Sequence, residues 1–285
     1  MIDPAEIVGQ RIARCESNYR TEDSILYALA LGFGADPTDS EQLQFVYEQN
    51  IRTLPTMNLV VGYPGFWLKE PKYQVEWQKV LHAEEKLIIH QPLPPAGAVV
   101  GETFVDEIVD RGADKGAFIY QRKEVRGEAD GVLFAEVLSN TLARGDGGFG
   151  GTAKPRAQPP AVPERKPDAV CDLATLPQQA LLYRLCGDMN PLHADPAIAS
   201  GAGFDRPILH GRATMGVAQH AVLKTACGYD PARLKSLSVR FSAPFLPGET
   251  LRTELWSDGS DVYFRSRSLE RDVVVLNNGH AELNS

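Results

Sequence analysis

The hydrophobic pattern changes period near residue 228. From Ala213 to Leu223 the run Ala-Thr-Met-Gly-Val-Ala-Gln-His-Ala-Val-Leu is apolar almost throughout and rich in small residues, which predicts a helix over about 212–227. After it come four segments of alternating or β-rich character: Leu237–Ser242, Thr250–Trp256, Asp261–Ser268 and Val273–Leu283. They are separated by Pro-Gly, Asp-Gly-Ser and Glu-Arg-Asp turn signals, and loops this short imply antiparallel pairing. The first half offers a similar series at 98–108, 115–123 and 132–142. Helix against antiparallel sheet is an α+β pattern.

Between the two series the composition turns to glycine and then proline: Gly145-Asp-Gly-Gly-Phe-Gly-Gly151, followed by five prolines up to Pro167. Such a stretch cannot hold a helix or an inner strand. It predicts an N-terminal domain over 1–150, a linker over 151–168 and a C-terminal domain over 169–285. Gly145–Gly150 fits Gly-x-Gly-x-x-Gly, but a dinucleotide loop must open a helix and here prolines follow, so the nucleotide reading is rejected. The halves share landmarks. Leu26-Tyr-Ala-Leu-Ala-Leu-Gly32 matches Leu182-Tyr-Arg-Leu-Cys-Gly187, and Gly101-Glu-Thr-Phe104 matches Gly248-Glu-Thr-Leu251, which predicts a duplicated unit.

The chemistry gathers in one place. Tyr183-Arg-Leu-Cys-Gly-Asp-Met-Asn-Pro-Leu-His-Ala-Asp-Pro196 holds a carboxylate (Asp188), an amide (Asn190) and an imidazole (His193) within six residues, and Gly203-Phe-Asp-Arg-Pro-Ile-Leu-His-Gly211 follows. Residues five apart on an α-helix are about 140° apart around its axis, so Asp188 and His193 converge only if the segment is not regular helix. Gly187 and Pro191 favour that. Gly-Asp-x-Asn-Pro is also ordinary turn chemistry, since Asp and Asn side chains bond their own backbone. Asp195-Pro196 reads as a helix cap with proline in the first turn. Gly211 enters the apolar helix, where an N–H carries partial positive charge and a missing side chain lets an oxygen approach, so it is the oxyanion-hole candidate. His210 either lines the site or fixes the turn presenting Gly211, with the second favoured. Tyr183 and Arg184 either orient the loop or reach the ligand.

This segment closely resembles the signature of the MaoC-like, (R)-specific 2-enoyl-CoA hydratases, departing visibly only at Cys186, where serine is commoner. Tyr19–Gly32 and Arg52–Met57 also look like the two-domain members, so the resemblance covers almost the whole chain. It implies a double hotdog, two antiparallel sheets each wrapped round a central helix. It implies a site in which Asp188 and His193 act on one water, with Asn190 and Gly211 completing the catalytic set and Tyr183, Arg184 and His210 on the substrate-binding side. The activity implied is reversible hydration of trans-2-enoyl-CoA to (3R)-3-hydroxyacyl-CoA in acyl-CoA metabolism. Dehydration of 3-hydroxyacyl groups on an acyl-carrier protein, or thioester hydrolysis, is the alternative. In two-domain members the first domain has lost its catalytic residues and makes room for the acyl chain. Leu54, Met57, Val60, Val61 and Phe66 are apolar candidates for that wall and equally for plain core.

Composition narrows the partners. The 285 residues carry 29 basic against 37 acidic groups and no long basic run, so nothing suggests a nucleic-acid footprint. No apolar run approaches the roughly 20 residues of a membrane span, and Met1-Ile-Asp-Pro-Ala-Glu is acidic where a signal peptide is basic. A cytoplasmic homodimer is expected, with an acyl-CoA substrate and no membrane partner. The four cysteines, far apart and without Cys-x-x-Cys spacing, read as structural thiols. The six histidines form no His-x-x-x-His or His-Glu-x-x-His pair, so no metal is expected. No cofactor is expected either, coenzyme A being part of the substrate.

Overall fold

In the computed structural model, which describes residues 2–150 and 159–284, short helix α1 (Pro4–Ile7) precedes β1 (Arg11–Tyr19), α2 (Thr21–Leu29) and α3 (Ser40–Val46). Then come β2 (Val80–Ile89), β3 (Gly97–Asp110), β4 (Ala117–Gly127) and β5 (Leu133–Ala143). The second half repeats the series as β6 (Ala169–Ala174), α4 (Gln179–Tyr183), α5 (Pro196–Gly201), α6 (Gly211–Ala226), β7 (Leu234–Phe241), β8 (Thr250–Asp258), β9 (Asp261–Ser268) and β10 (Val273–Leu283). The strands form one ten-stranded sheet in the order β1-β3-β4-β5-β2-β7-β10-β9-β8-β6. The second five are the first five reversed, strand for strand, so the duplication read from the sequence is a pseudo-twofold of the fold. The halves meet where β2 pairs antiparallel with β7, Glu85 opposite Val239 and Leu87 opposite Leu237.

The fold is the α+β double hotdog expected, with two differences. The two half-sheets are continuous across the β2–β7 seam. The long helix exists in one half only: α6 is buried from Arg212 to Leu223, while the first half has only 3-10 turns between α3 and β2, beginning with Pro55–Leu59. Proline and the β-branched run Val60-Val61 favour a tight, extended strap over a helix there. The strap fills the space itself. The wall candidates Leu54, Met57, Val60 and Val61, like Leu59 between them, are at most 6% exposed within the main core. Phe66 packs instead in a separate cluster with Ile2, Ile7 and Trp67.

Of the two repeat landmarks, the first holds: Tyr27 and Tyr183 face each other across the pseudo-axis with ring centroids 5.8 Å apart. The second does not. Gly101 lies inside β3 opposite Cys15, whereas Gly248 sits in the turn before β8 with φ +92°. Gly101 is glycine for another reason. A Cβ there would stand 1.9 Å from the carbonyl oxygen of Gly62, where the strap crosses the sheet.

Strands β3–β5 and β7–β10 fall where alternation placed them; β1, β2 and β6 were not read. Of these, β1 and β6 are edge strands with mixed exposure. β2 carries Glu84-Glu85-Lys86 at its centre, and this charge breaks the apolar pattern. Glu85 is nevertheless wholly buried. It accepts hydrogen bonds from Ser139 Oγ (2.9 Å) and from Arg212 Nη2 (3.0 Å) and Nε (3.3 Å), and His82 Nε2 lies 2.5 Å away. Burial opposes both charges, yet the Arg212 guanidinium holds Glu85 well below the usual carboxylate range, and Glu85 raises Arg212 in turn.

The glycine run 145–150 wraps a protein carboxylate. Gly148 N–H (2.8 Å) and Gly150 N–H (2.6 Å) donate to Asp110. Of the expected linker, residues 151–158 lie outside the described residues. Beyond them the chain crosses the second half in extended form, Asn278 donating to Pro160 O and Trp256 to Arg165 O.

Breaking a buried ion pair from one side leaves an uncompensated charge. Glu85→Ala should lower the unfolding free energy by about 3–5 kcal/mol in urea titration. Lys235→Ala, at the exposed Lys235–Glu282 pair, should cost no more than about 1 kcal/mol.

Candidate active site

After α4 the chain makes one 3-10 turn over Arg184–Cys186 and then reverses at Gly187, whose φ of +133° is a conformation other residues rarely adopt. Two Asx turns follow. Asp188 Oδ1 accepts from Asn190 N and Asn190 Oδ1 from Leu192 N, both at 3.2 Å. Pro191 opens a 3-10 turn ending at His193, and Asp195 caps α5, accepting from Ala197 N at 2.8 Å with Pro196 in the first turn. The turn chemistry and the capping read from the sequence are therefore both present. They use only part of each side chain: Asp188 Oδ2 and Asn190 Nδ2 make no hydrogen bond among the described residues.

His193 is 8% exposed, and its Nδ1 lies 2.9 Å from Ile208 O. A carbonyl only accepts, so Nδ1 carries the proton and Nε2 keeps its lone pair. Burial lowers the His193 pKa below the usual 6.5, with the Ile208 bond and the Asp188 charge only partly offsetting it, so the ring is neutral at pH 7. Its ring lies against His210, with centroids 3.8 Å apart.

His210 is 1% exposed and donates from Nε2 to the carbonyl of Asp188 at 3.1 Å, while Nδ1 has no partner. Burial, reinforced by His193, pushes its pKa down to about 3. It therefore acts as a neutral clamp on the carbonyl of Asp188 rather than on the turn that presents Gly211. The Tyr183 ring is buried, packed between Tyr27 and His210, and its hydroxyl finds no hydrogen-bond partner among the described residues. Arg184 remains at the surface of the turn and donates to Met189 O at 3.3 Å, so it orients the loop. Cys186 Sγ reaches only Leu182 O at 3.9 Å.

Gly211 is the first residue of α6, and Leu209 N ties the preceding loop to Phe245 O at 2.8 Å. A Cβ on Gly211 would come within 3.1 Å of the Phe241 ring, so the position is close-packed on one side while its N–H belongs to the free amino end of a 16-residue helix. Sequence reasoning missed Arg212, Glu85, Lys123 and Tyr63. The first two are ion-paired across 127 positions and Lys123 bonds carbonyls more than 60 positions away, separations no local pattern reports.

Residues 17–145 match the model of the MFE-2 hydratase 2 N-terminal domain, and residues 158–279 match the MaoC like domain. The chain is 35% identical to enoyl-CoA hydratase 2, peroxisomal, of Arabidopsis thaliana, covering 95% of this chain and 92% of that protein. The chain belongs to the MaoC-like hydratase 2 family.

Other members extend the likeness. Mouse peroxisomal multifunctional enzyme type 2 is 37% identical over 97% of this chain, which spans only 38% of that longer protein. The crystal structure of a MaoC-like dehydratase from Phytophthora capsici superposes with a TM-score of 0.87 at 31% identity, covering 100% of this chain and 98% of that one. Among the described residues of this family member, no helix is long and apolar enough to cross a membrane.

The tautomer assigned to His193 is directly measurable. Long-range 1H–15N correlation spectra should show a predominantly neutral ring protonated at Nδ1 at pH 7; an Nε2–H pattern would contradict the assignment.

Proposed function

We propose that the protein catalyses the reversible hydration of trans-2-enoyl-CoA to (3R)-3-hydroxyacyl-CoA. The observation that carries this reading is the neutral His193 with a free Nε2 lone pair, held in the same short segment as an Asp188 carboxylate with one unused oxygen. Gly211 opens α6 in the same half, and relatives of this family carry hydratase names. A water between Asp188 and His193 gives up a proton as its oxygen bonds to C3. The π electrons move toward C2 and the thioester oxygen, and the charge developing there meets the Gly211 N–H. A proton then reaches C2, so one water is added across the double bond. The thioester carbonyl makes C3 electrophilic, and coenzyme A enters as part of the substrate. Asn190 uses its Oδ1 to shape the turn and offers its NH2 group to the water. The same machinery run in reverse dehydrates 3-hydroxyacyl groups on an acyl-carrier protein. Hydrolysis of the thioester would instead need the base to address the carbonyl carbon.

A cytoplasmic homodimer belongs to the same proposal, on the strength of the four free thiols and the two open sheet edges at β1 and β6. So does the division into an N-terminal half to residue 150 and a catalytic half from residue 169.

Loss of the conjugated enoyl-thioester absorbance, coupled to an (R)-specific dehydrogenase, tests the reading; release of free thiol without hydration would overturn it. Asp188→Asn and His193→Gln should each lower kcat by about a hundredfold or more without a matching loss of stability. The pH profile has a definite sign. The His193 pKa is lowered by burial, so the acid limb of kcat/KM should have its midpoint below the ordinary imidazole value of 6.5, as Nε2 takes a proton. A fall beginning above pH 7 on the acid side would contradict His193 as the base.

A further inference from the structure

Glu85 is anchored near the centre of the sheet. It lies on the seam strand β2, opposite Ser139 of β5 on one side and Val239 of β7 on the other, and Ser139 Oγ donates to it at 2.9 Å. A side chain set on paired strands is placed more precisely than one on a loop. Two routes lead from it to residue 211. The first is the Arg212 fork, with Nη2 (3.0 Å) and Nε (3.3 Å) donating to the two carboxylate oxygens, and Arg212 is joined to Gly211 by one peptide link. The second runs through rings. His82, whose Nε2 is 2.5 Å from Glu85 Oε2, packs on Phe241 with centroids 4.6 Å apart, and a Cβ on Gly211 would come within 3.1 Å of that Phe241 ring.

The same guanidinium is tied to the strap. Its Nη1 donates to Leu59 O at 3.3 Å, and the Tyr63 ring covers its face, centroid 4.6 Å from Cζ. The strap is fixed in turn by the buried Lys123 amine, which donates to the carbonyls of Asn58 (2.9 Å), Leu59 (3.3 Å) and Val61 (2.8 Å). Val60 O stands 3.5 Å from where a Cβ on Gly187 would be, and His210, the residue before Gly211, donates to Asp188 O at 3.1 Å. The start of α6 and the Asp188 turn are therefore joined both directly and through the strap.

Stability alone does not call for charges here, since apolar side chains of similar volume often match or exceed a buried ion pair. What the pair adds is direction. A planar guanidinium forked onto a carboxylate has one geometry, where packed aliphatic chains have several. We propose that Glu85, from the half without the signature, is a positioning residue: through Arg212, and through His82 and Phe241, it holds the Gly211 N–H on the thioester oxygen. This rests on the acyl-thioester reading above.

The test uses the full-length protein, a Glu85→Gln/Arg212→Met double variant and Glu85→Gln alone. It measures urea stability, kcat and KM for four-carbon trans-2-enoyl-CoA, and the infrared carbonyl stretch of bound butanoyl-CoA labelled with 13C at the thioester carbon. A hydrogen bond to that oxygen lowers the stretch, so the wild type should hold it below the free-ligand value. The double variant should match the wild type in urea. Its kcat should nevertheless fall about tenfold or more with KM changed by less than about threefold, and its stretch should return at least about half-way to the free value. Glu85→Gln keeps the shape and should show the same changes at smaller amplitude, about threefold in kcat, which decides the matter if the double variant does not fold. A folded variant with wild-type kcat and stretch overturns the proposal, as does one that raises KM alone. An unshifted stretch in the wild type overturns it too. If butanoyl-CoA binds with a lowered stretch but the enoyl thioester is not hydrated, the hydratase reading alone falls and the stretch still decides Glu85; if no acyl-CoA binds, both fall.

Discussion

A single buried carboxylate ties the molecule together. Glu85 sits on β2, the first half's strand at the seam, and its partner Arg212 is the second residue of α6 in the other half. Taking two such charges out of water is costly, and their attraction offsets the cost only when the remaining lone pairs and protons are satisfied. Here they are: Ser139 and His82 address the carboxylate, while Leu59 O and the Tyr63 ring address the guanidinium. The pair therefore fixes the height of α6 against the seam, and with it the position of the Gly211 N–H. Strap, helix start and catalytic turn are all referred to one point.

Around that point the two halves have divided the work. The same five-stranded order is built twice, and in each half the helix after the edge strand bears a tyrosine, Tyr27 and Tyr183, that meet near the pseudo-axis. Only the second half carries a helix long enough to present an amino end to a ligand. The first half replaces it with a strap whose carbonyls are gathered by Lys123 and Arg212. Where a helix satisfies its own backbone internally, a strap needs outside donors. This accounts for two buried cations in an otherwise apolar region.

In the segment proposed as catalytic, turn formation leaves atoms of each polar side chain uncommitted. Asp188 and Asn190 each commit one oxygen to the backbone, which costs the turn little and fixes the remaining atoms of both groups. His193 commits Nδ1 to Ile208 O, and that bond alone sets the tautomer. His210 supplies a second, outer constraint by holding the Asp188 carbonyl and closing the stack of rings beneath it.

The sequence by itself determined what local physics can encode. Alternation marked seven of the strands, small apolar residues marked α6, and Gly187, Pro191, Asp195 and Pro196 marked the irregular turn and the helix after it. Three strands and the charged network were not legible. β2 reads as polar because Glu85, Lys86 and their neighbours interrupt its pattern, and only a guanidinium 127 residues away makes burial of that carboxylate tolerable. The Gly101 and Gly248 landmarks looked alike because glycine answers two different needs, close backbone approach in one case and positive φ in the other. Whether the first half would be hollow or filled, and whether Tyr183 and His210 would face a ligand or the core, was decided only by tertiary structure. Those outcomes depend on which distant groups arrive to satisfy a buried carbonyl, charge or ring, and chain order carries no record of that.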